Sequence, residues 1–558
     1  MMRMHYGRTA LLALSLLSAC AASGPAAPGE VQGQAGAFAD YLVGRDAAQH
    51  GDLDTAADRL RATFARDPSN ISVAQQAFLA SLLAGRGDLT GLAGRLPGNS
   101  LAALYLADAH ARAGEWDAAE RGYATLPLEG LTDALRPLLV AWAEQGAGQT
   151  DAALARLKPL THGPHFPGVY ALHAGLIADQ AGRAGDAAAY YRQALTDYGS
   201  LNLRLGLIVA SAEARRGLDV QARQTLDETI RTNPELGIAR PALEAALAKP
   251  AVPTAVDGIA EAYLAFAATL RSQGANDLAQ VMLRLALLNW PGFTAARLLL
   301  ADVQAQAGQP AAALATLSAV PAGDPLSAIV RLRRADLLNA AVEHQQAAEQ
   351  LAALAQEFPD RPEPLAQEGE VLRSEERYAD ASTAYTGAIA RAAALGQVPW
   401  TLYFERGVAR ERSSDWPGAQ ADLEQALKLA PDEPAILNYL AYSWAERDEN
   451  LPQARQMLER AVAILPHDGA IIDSLGYVLL RQGDTAGAVR QLERAVEIDP
   501  EDPEINGHLG DAYLAAGRPR EAGFQWERAL TLKPSPKDQA QIEAKLNKLP
   551  AGTARAKP

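Results

Sequence analysis

Two adjacent stretches near the C terminus decide the fold: AIIDSLGYVLLRQGDTAGAVRQLERAVEIDP (residues 470–500) and PEINGHLGDAYLAAGRPREAGFQWERALTLKP (residues 503–534). When the second is laid on the first, glycines, alanines and a final proline recur 34 positions later. The matched positions are Gly476 and Gly510, Gly483 and Gly517, Ala488 and Ala522, Ala495 and Ala529, and Pro500 and Pro534. Such a repeat predicts pairs of amphipathic helices, each joined by a glycine turn and stacked on the next pair.

The spacing and the order of these landmarks resemble the tetratricopeptide repeat, a helix-turn-helix unit. Worn copies extend over nearly all of residues 38–549; Ala119, Ala153, Ala187 and Ala222, for example, follow one another at steps of 34, 34 and 35 residues. The resemblance implies an all-α fold, a right-handed α-solenoid of about 14 repeats. It also implies that the first helices of the repeats line a concave groove.

The repeat register lengthens once, and this predicts two arrays. The step from Ala222 to its next equivalent, Ala279, is 57 residues, and the excess contains an apolar helix followed by a loop with Pro250 and Pro253. Prolines restrict the backbone and remove donors, so this loop is expected to interrupt the stacking. The predicted organisation is a signal peptide (1–19), a lipidated cysteine with a flexible tether (20–37), an N-terminal array (38–235), an extra helix and linker (236–257), a C-terminal array (258–534), and a capping helix with a tail (535–558).

The N terminus resembles that of a bacterial lipoprotein. Arg3 and Arg8 precede an apolar run that is too short to span a bilayer but suits a secretory signal. The run ends in Leu-Ser-Ala followed by Cys20, the single cysteine of the chain, in the manner of a lipobox. The resemblance implies that Cys20 is lipidated and becomes the first mature residue. Because Ala21 rather than Asp follows, it further implies a protein of the outer membrane that faces the periplasm.

Composition and motifs argue against nucleic-acid binding and catalysis. The formal net charge is −15, so a polyanion is an unfavourable partner. The sequence contains no H-E-x-x-H zinc motif, no G-x-x-x-x-G-K-[ST] phosphate loop and no G-x-S-x-G nucleophile elbow. We therefore expect a non-enzymatic protein without cofactor or metal.

One cluster keeps an enzymatic alternative open. His162 and His165 lie in the segment THGPHFPG, and His173 follows on the next predicted helix. Histidines so spaced could converge on a metal ion, although no cysteine is near and no carboxylate has an obvious ligand spacing. A metal-dependent hydrolase built on residues 162–173 is the alternative to an exposed loop without a metal.

The groove candidates follow from the resemblance, because first-helix side chains line the groove in this family. The residues at those positions in the last three repeats are Asn438, Tyr442, Asp473, Tyr477, Arg481, His508 and Asp511. This mixture of aromatic, amide and charged groups suits an extended peptide or a segment of a partner protein. A glycan is the other ligand considered, with Trp400, Trp416 and Tyr442 as stacking platforms. The predicted function is a lipid-anchored scaffold that gathers partner proteins for assembly in the bacterial envelope.

Overall fold

A computed structural model describes residues 28–127, 130–199 and 202–549 of the chain. Within these ranges the ordered elements are helices, and no strand occurs, so the predicted all-α fold is confirmed. The described helices follow one another as 14 successive pairs, with α13 and α30 outside the pairs. Cys20 and the predicted signal peptide lie outside the described residues.

The chain divides into two compact units, which are described separately. The first unit contains the residues up to Thr225 and Leu247–Gln309. The helices that lie in it, with α12 extending past its boundary, are α1 (Pro28–Gln49), α2 (Leu53–Arg66), α3 (Ile71–Leu83), α4 (Thr90–Ala93), α5 (Ser100–Arg112), α6 (Trp116–Ala124), α7 (Leu131–Gly146), α8 (Thr150–Leu157), α9 (Pro167–Gln180), α10 (Ala184–Tyr198), α11 (Leu203–Arg215), α12 (Asp219–Thr232), α14 (Ala255–Ser272), α15 (Asn276–Asn289) and α16 (Thr294–Gln306).

The second unit contains Leu226–Ala246 and the residues from Pro310 onward. A 3-10 helix, Pro234–Ala239, precedes its first α-helix. The α-helices are α13 (Arg240–Ala246), α17 (Pro310–Ser318), α18 (Ser327–Ala340), α19 (His344–Glu357), α20 (Glu363–Ser374), α21 (Tyr378–Ala394), α22 (Trp400–Arg412), α23 (Trp416–Leu429), α24 (Pro434–Glu446), α25 (Leu451–Ile464), α26 (Gly469–Arg481), α27 (Thr485–Ile498), α28 (Pro503–Ala515), α29 (Pro519–Thr531) and α30 (Pro536–Leu546).

The repeat landmarks pack as the sequence predicts. A Cβ added at Gly476 would lie 2.5 Å from Cγ of Leu492, and one at Gly510 would lie 2.5 Å from Cδ1 of Trp526. The two glycines therefore let the first helix of each pair approach the second. Leu492 and Trp526 are fully buried at these crossings. The last helix, α30, lies within the segment predicted to cap the array and buries Ile542 against the core of the second unit.

The first helix begins earlier than the sequence suggested. The tether was predicted to extend to residue 37, but α1 starts at Pro28. Proline is well tolerated in the first turn of a helix, where its missing N–H needs no partner. No further proline follows before residue 49, so the glycines of this segment weaken the helix without breaking it.

The two compact units do not coincide with the predicted division at residues 236–257. Helices α14, α15 and α16, assigned by sequence to the C-terminal array, belong to the first unit, whereas Leu226–Ala246 belongs to the second. We call the surface formed by the first helices of successive pairs the inner face. Helix α14 packs on α7 and α9, and α15 packs on α3 and α5. The chain thus turns back after its proline loop and lays α14 and α15 on the inner face of the first unit.

None of the described helices is both long and apolar enough to cross a bilayer.

Candidate functional site

Three aromatic rings meet on the inner face of the second unit. Tyr442 on α24, Tyr477 on α26 and His508 on α28 come from three successive repeats. Their ring centroids lie 5.2 Å apart for the two tyrosines, 4.7 Å for Tyr477 and His508, and 6.3 Å for Tyr442 and His508. We call these three residues the ring cluster. All three were groove candidates from the sequence, and the structure brings them together.

A carboxylate beneath the ring cluster holds His508 in its charged form. Nδ1 of His508 donates to both carboxylate oxygens of Asp473, at 2.9 and 3.0 Å, and Asp473 is buried. Burial of the imidazole disfavours its protonation, but the negative charges of Asp473, Glu504 and Asp511 outweigh burial and raise the pKa of His508 to about 9. The sequence prediction named Asp473 and His508 singly, and the structure joins them as an ion pair.

Two exposed glutamates border the ring cluster, and sequence reasoning missed both. Glu504, on α28, accepts a hydrogen bond of 2.8 Å from the hydroxyl of Tyr442. Glu446 lies on α24, four residues after Tyr442. Burial raises the pKa of Tyr442, and the charges of Glu504 and Glu446 raise it further. Glu446 is the last residue of α24, and Glu504 lies in the first turn of α28. They were missed because the groove candidates were chosen mainly from the middle of each first helix.

The remaining candidates have separate surroundings. Arg481 donates to the hydroxyl of Tyr477 at 2.8 Å and forms an ion pair with Asp448. Asp511 is held by Lys545 of α30, at 2.7 and 2.8 Å, and it also accepts from Nε1 of Trp526. Asp511 therefore fastens the capping helix as well as acting on His508. The remaining candidate is Asn438. Its side-chain oxygen, Oδ1, is buried and has no hydrogen-bond partner among the described residues.

The inner face of the first unit is filled by polar and apolar contacts to α14 and α15. Asp108 on α5 is fully buried and accepts hydrogen bonds from the hydroxyls of Tyr123 (2.7 Å) and Tyr263 (3.0 Å) and from Nδ2 of Asn289 (2.9 Å). Burial raises the pKa of Asp108 to about 6, although the hydrogen bonds and the charge of Arg112 favour the carboxylate. Asp108 is therefore a polar anchor for both returning helices.

Close packing and an ion pair complete this self-docking. The backbone of Gly258 lies against the indole of Trp142, so closely that an added Cβ would lie 2.4 Å from ring carbons. Arg204 of α11 donates to Glu261 of α14 at 2.8 Å and to the carbonyl of Ala251 at 2.8 Å. Side chains from α5, α7 and α11 of the first unit thus contact its own returning segment.

A cavity of about 560 Å³ lies in the first unit beside this segment. Its lining is mostly apolar, and the charged pair in it, Arg204 and Glu261, is already satisfied internally. Phe166 lines the cavity in a left-handed conformation, with φ of 54°, and contacts the ring of Phe266. The cavity is thus more apolar than the second unit's inner face around Tyr442, Glu446 and Glu504.

The three histidines of the alternative metal site do not converge. His173 is fully buried, and its Nδ1 accepts from Nε1 of Trp142 at 2.9 Å. Burial lowers the pKa of His173 to about 3. His162 and His165 are exposed on the preceding segment. Among the residues that the structure describes, no group of three histidine, cysteine or carboxylate side chains is arranged to hold a metal ion.

The tryptophans considered for a glycan are engaged elsewhere. Trp416 lies under the guanidinium of Arg447, 4.2 Å from its ring centroid, and donates to Glu449. Trp400 contacts Phe404 edge to face. Neither ring contacts the ring cluster in the described part of the chain. Trp400, Trp416 and Tyr442 therefore do not form one surface on which a glycan could stack.

Family comparisons agree with the repeat pattern. Residues 270–336, 404–469 and 474–538 match family models described as tetratricopeptide repeat. The chain contains tetratricopeptide repeats. Proteins of this family are generally non-catalytic and present extended surfaces to other proteins, so the coarse function is that of a protein-interaction scaffold. A search of the curated proteins finds no match.

Several solved structures are similar to this chain at low identity. Cut9–Hcn1 of the APC/C hetero-tetramer is 14% identical with a TM-score of 0.38, covering 91% of this chain and 96% of that chain. Yeast Tom70 is 12% identical with a TM-score of 0.34, covering 92% and 95%. YrrB, described as a TPR protein with an unusual peptide-binding site, is 18% identical with a TM-score of 0.29, covering 35% and 99%.

Proposed function

We propose that this protein is a lipid-anchored, non-enzymatic scaffold of the bacterial envelope that binds an extended segment of a partner protein on the inner face of its second unit. The observation that carries the proposal is the ring cluster on α24, α26 and α28. These three helices contact their neighbours in sequence, and no more distant helix of the second unit packs substantially on them within the described residues. The cluster presents half-buried rings with exposed carboxylates beside them.

The geometry suits a peptide for physical reasons. Aromatic rings bury a large apolar area with little loss of side-chain entropy, and they are enriched at sites where proteins bind one another. The buried oxygen of Asn438 lacks a partner, and a peptide N–H is a donor that could satisfy it after a side-chain rotation. The first unit's inner face is occupied by α14 and α15, so partner binding is assigned to the second unit.

A site-specific crosslink tests the binding proposal. A photo-crosslinking amino acid placed at Tyr442 should capture partner proteins in envelope preparations. The same amino acid at Arg490, which is exposed on the second helix of a pair, is the matched control and should capture little. Equal capture from both positions would contradict a groove-binding function.

The anchor is proposed on sequence grounds, from the Leu-Ser-Ala-Cys motif that ends at Cys20. Several acyl chains on one cysteine would hold the protein at a membrane, since a single chain binds only marginally. Metabolic labelling with a fatty acid should mark the parent protein, and Cys20→Ser should abolish the label. Fractionation should place the labelled protein in the outer membrane; recovery from the cytosol would refute the proposed location.

A further inference from the structure

The negative charge of the protein is concentrated around the ring cluster. Residues 434–515, which run from the start of α24 to the end of α28, contain 14 acidic and 6 basic side chains. Their formal net charge, with histidine counted as neutral, is −8, more than half of the −15 of the whole chain counted in the same way. A field of this sign attracts cationic groups and repels anionic ones.

Several arginines of the same repeats neutralise other carboxylates. Arg481 pairs with Asp448, Arg447 pairs with Glu411, and Arg455 pairs with Glu459. Lys545 neutralises Asp511. The positive charges of these four side chains are therefore already neutralised within the protein.

Glu446 and Glu504 are the carboxylates that border the ring cluster without a cation. Neither forms an ion pair with any residue in the described part of the chain, and both are exposed. Asp473, by contrast, is buried and paired with His508. The pair of Asp473 and charged His508 is neutral as a unit, so the two glutamates set the sign of the potential at the cluster.

The rings add a second feature that favours a cation. Tyr442 and Tyr477 present aromatic faces, and a guanidinium or ammonium group is attracted to the face of a tyrosine within about 6 Å of its centroid. The protein already uses this contact at Tyr477, whose ring centroid lies 5.7 Å from the guanidinium carbon of Arg481. A ligand cation between the rings and the glutamates would gain both interactions at once.

We propose that the ring cluster, together with Glu446 and Glu504, receives an arginine or lysine side chain from a basic, extended segment of a partner protein. This inference rests on the proposed peptide-binding function and specifies its ligand. The basic side chain lies over Tyr442 and Tyr477, and its charge is neutralised by the two glutamates. An acidic or phosphorylated segment is excluded by the same charges.

The test uses the purified full-length chain and three short labelled peptides, in which alanine alternates with lysine, with glutamine or with glutamate. Fluorescence anisotropy at low and high salt measures each affinity. The lysine peptide should bind tightest and should weaken with salt, because screening reduces the attraction between exposed charges. The double variant Glu446→Gln with Glu504→Gln should lose about tenfold in affinity for the lysine peptide.

A charge-matched control separates the site from the overall field. Glu497→Gln with Glu501→Gln removes the same charge from exposed positions outside the ring cluster and should leave the affinity nearly unchanged. Equal losses in the two double variants, or lysine binding no tighter than glutamine binding, would overturn the inference. In either case crosslinks from position 442 in the envelope would still support the proposed function, so the two failures are distinguishable.

Discussion

The same repeat positions are buried on the inner face of the first unit and partly exposed on the inner face of the second. In the first unit, the residues that directly follow the small residue of the first helix include Asp108 and Trp142, and both are fully buried. In the second unit, the corresponding residues include Tyr442 and Tyr477, which are only half-buried. The repeat pattern therefore determines which side chains point inward, but the path of the rest of the chain determines whether they are available to a partner.

The difference follows from one turn of the chain. The loop that contains Pro250 and Pro253 ends in Thr254, whose side chain caps α14 and forms a capping box with Asp257. This defined helix start directs α14 onto the first unit, where Tyr263 and Phe266 become buried. A groove that could have bound a foreign helix is thereby filled from within.

The largest expected effect comes from a methyl group at the filled face. Gly258→Ala would place Cβ 2.4 Å from the indole of Trp142, which is fully buried and cannot retreat. We expect a loss of about 3 kcal/mol or more in the free energy of unfolding, at the upper end for overpacking. Chemical denaturation followed by tryptophan fluorescence measures it.

The matched control lies on the other inner face. A Cβ at Gly507 would be 3.7 Å from Cδ1 of Ile542, an ordinary contact. Gly507→Ala should therefore be neutral or stabilise by up to about 1 kcal/mol, because alanine favours the helix. Similar losses at Gly258 and Gly507 would remove the distinction between a filled and an open face.

The stability of the second unit, whose inner face is open, should fall above neutral pH because His508 loses its proton. Its folded pKa is about 9, above the usual 6.5, so its contribution to stability is complete below pH 6.5 and is lost as the pH rises to about 9. The shift corresponds to about 3 kcal/mol. Urea denaturation of parent and Asp473→Asn across pH 6–10 should show a steeper decline for the parent. Parallel curves would contradict a charged pair.

The filled face should respond to pH in a lower window. Asp108 has a folded pKa of about 6, above the usual 3.8, so stability is highest below pH 3.8 and declines by about 3 kcal/mol as the pH rises to 6. Carboxylates elsewhere oppose this trend, so the variant Asp108→Asn is the reference. The free energy of unfolding of the variant, relative to that of the parent, should rise between pH 4 and 6 and stay constant above pH 6. A constant difference across that range would mean that Asp108 is not perturbed.

Much of the fold was accessible from the sequence because its cause is local. A small residue at 476 and a bulky one at 492 describe a helix crossing within one repeat, and the structure confirms that packing. The ring cluster was partly predicted, since Tyr442, Tyr477 and His508 share the inner side of first helices. The return of α14 onto the first unit was not predicted, because contacts between Asp108 and Tyr263 or Asn289 join residues more than a hundred positions apart and leave no repeat signature.

The turns between paired helices distinguish the two units in a smaller way. The left-handed position of these turns is glycine throughout the described part of the first unit, whereas in the second unit several of these positions carry side chains. A branched residue at this position, Val342, was not predicted from the sequence. At the position that glycine occupies in the other turns, the residues with positive φ are Val342, Glu376, Ser414 and Asp448; Asn450, in the same turn as Asp448, also has positive φ.

The smallest expected effect tests whether these turns are strained. Val342 has φ of 64°, a conformation that costs an L-residue about 1–2 kcal/mol, and its side chain is exposed. Val342→Gly should remove that cost. The greater freedom of glycine in the unfolded chain opposes this gain by about 0.5–1 kcal/mol, so the net stabilisation should be up to about 1 kcal/mol. The reverse change, Gly483→Val, meets no atom within 4 Å at Cβ and should destabilise by a similar amount, through φ alone. Melting temperatures of the two variants should therefore move in opposite directions from the parent. A shift of both in the same direction would show that the second unit tolerates side chains at these turns without strain, so that its turns and those of the first unit would differ in sequence but not in energy.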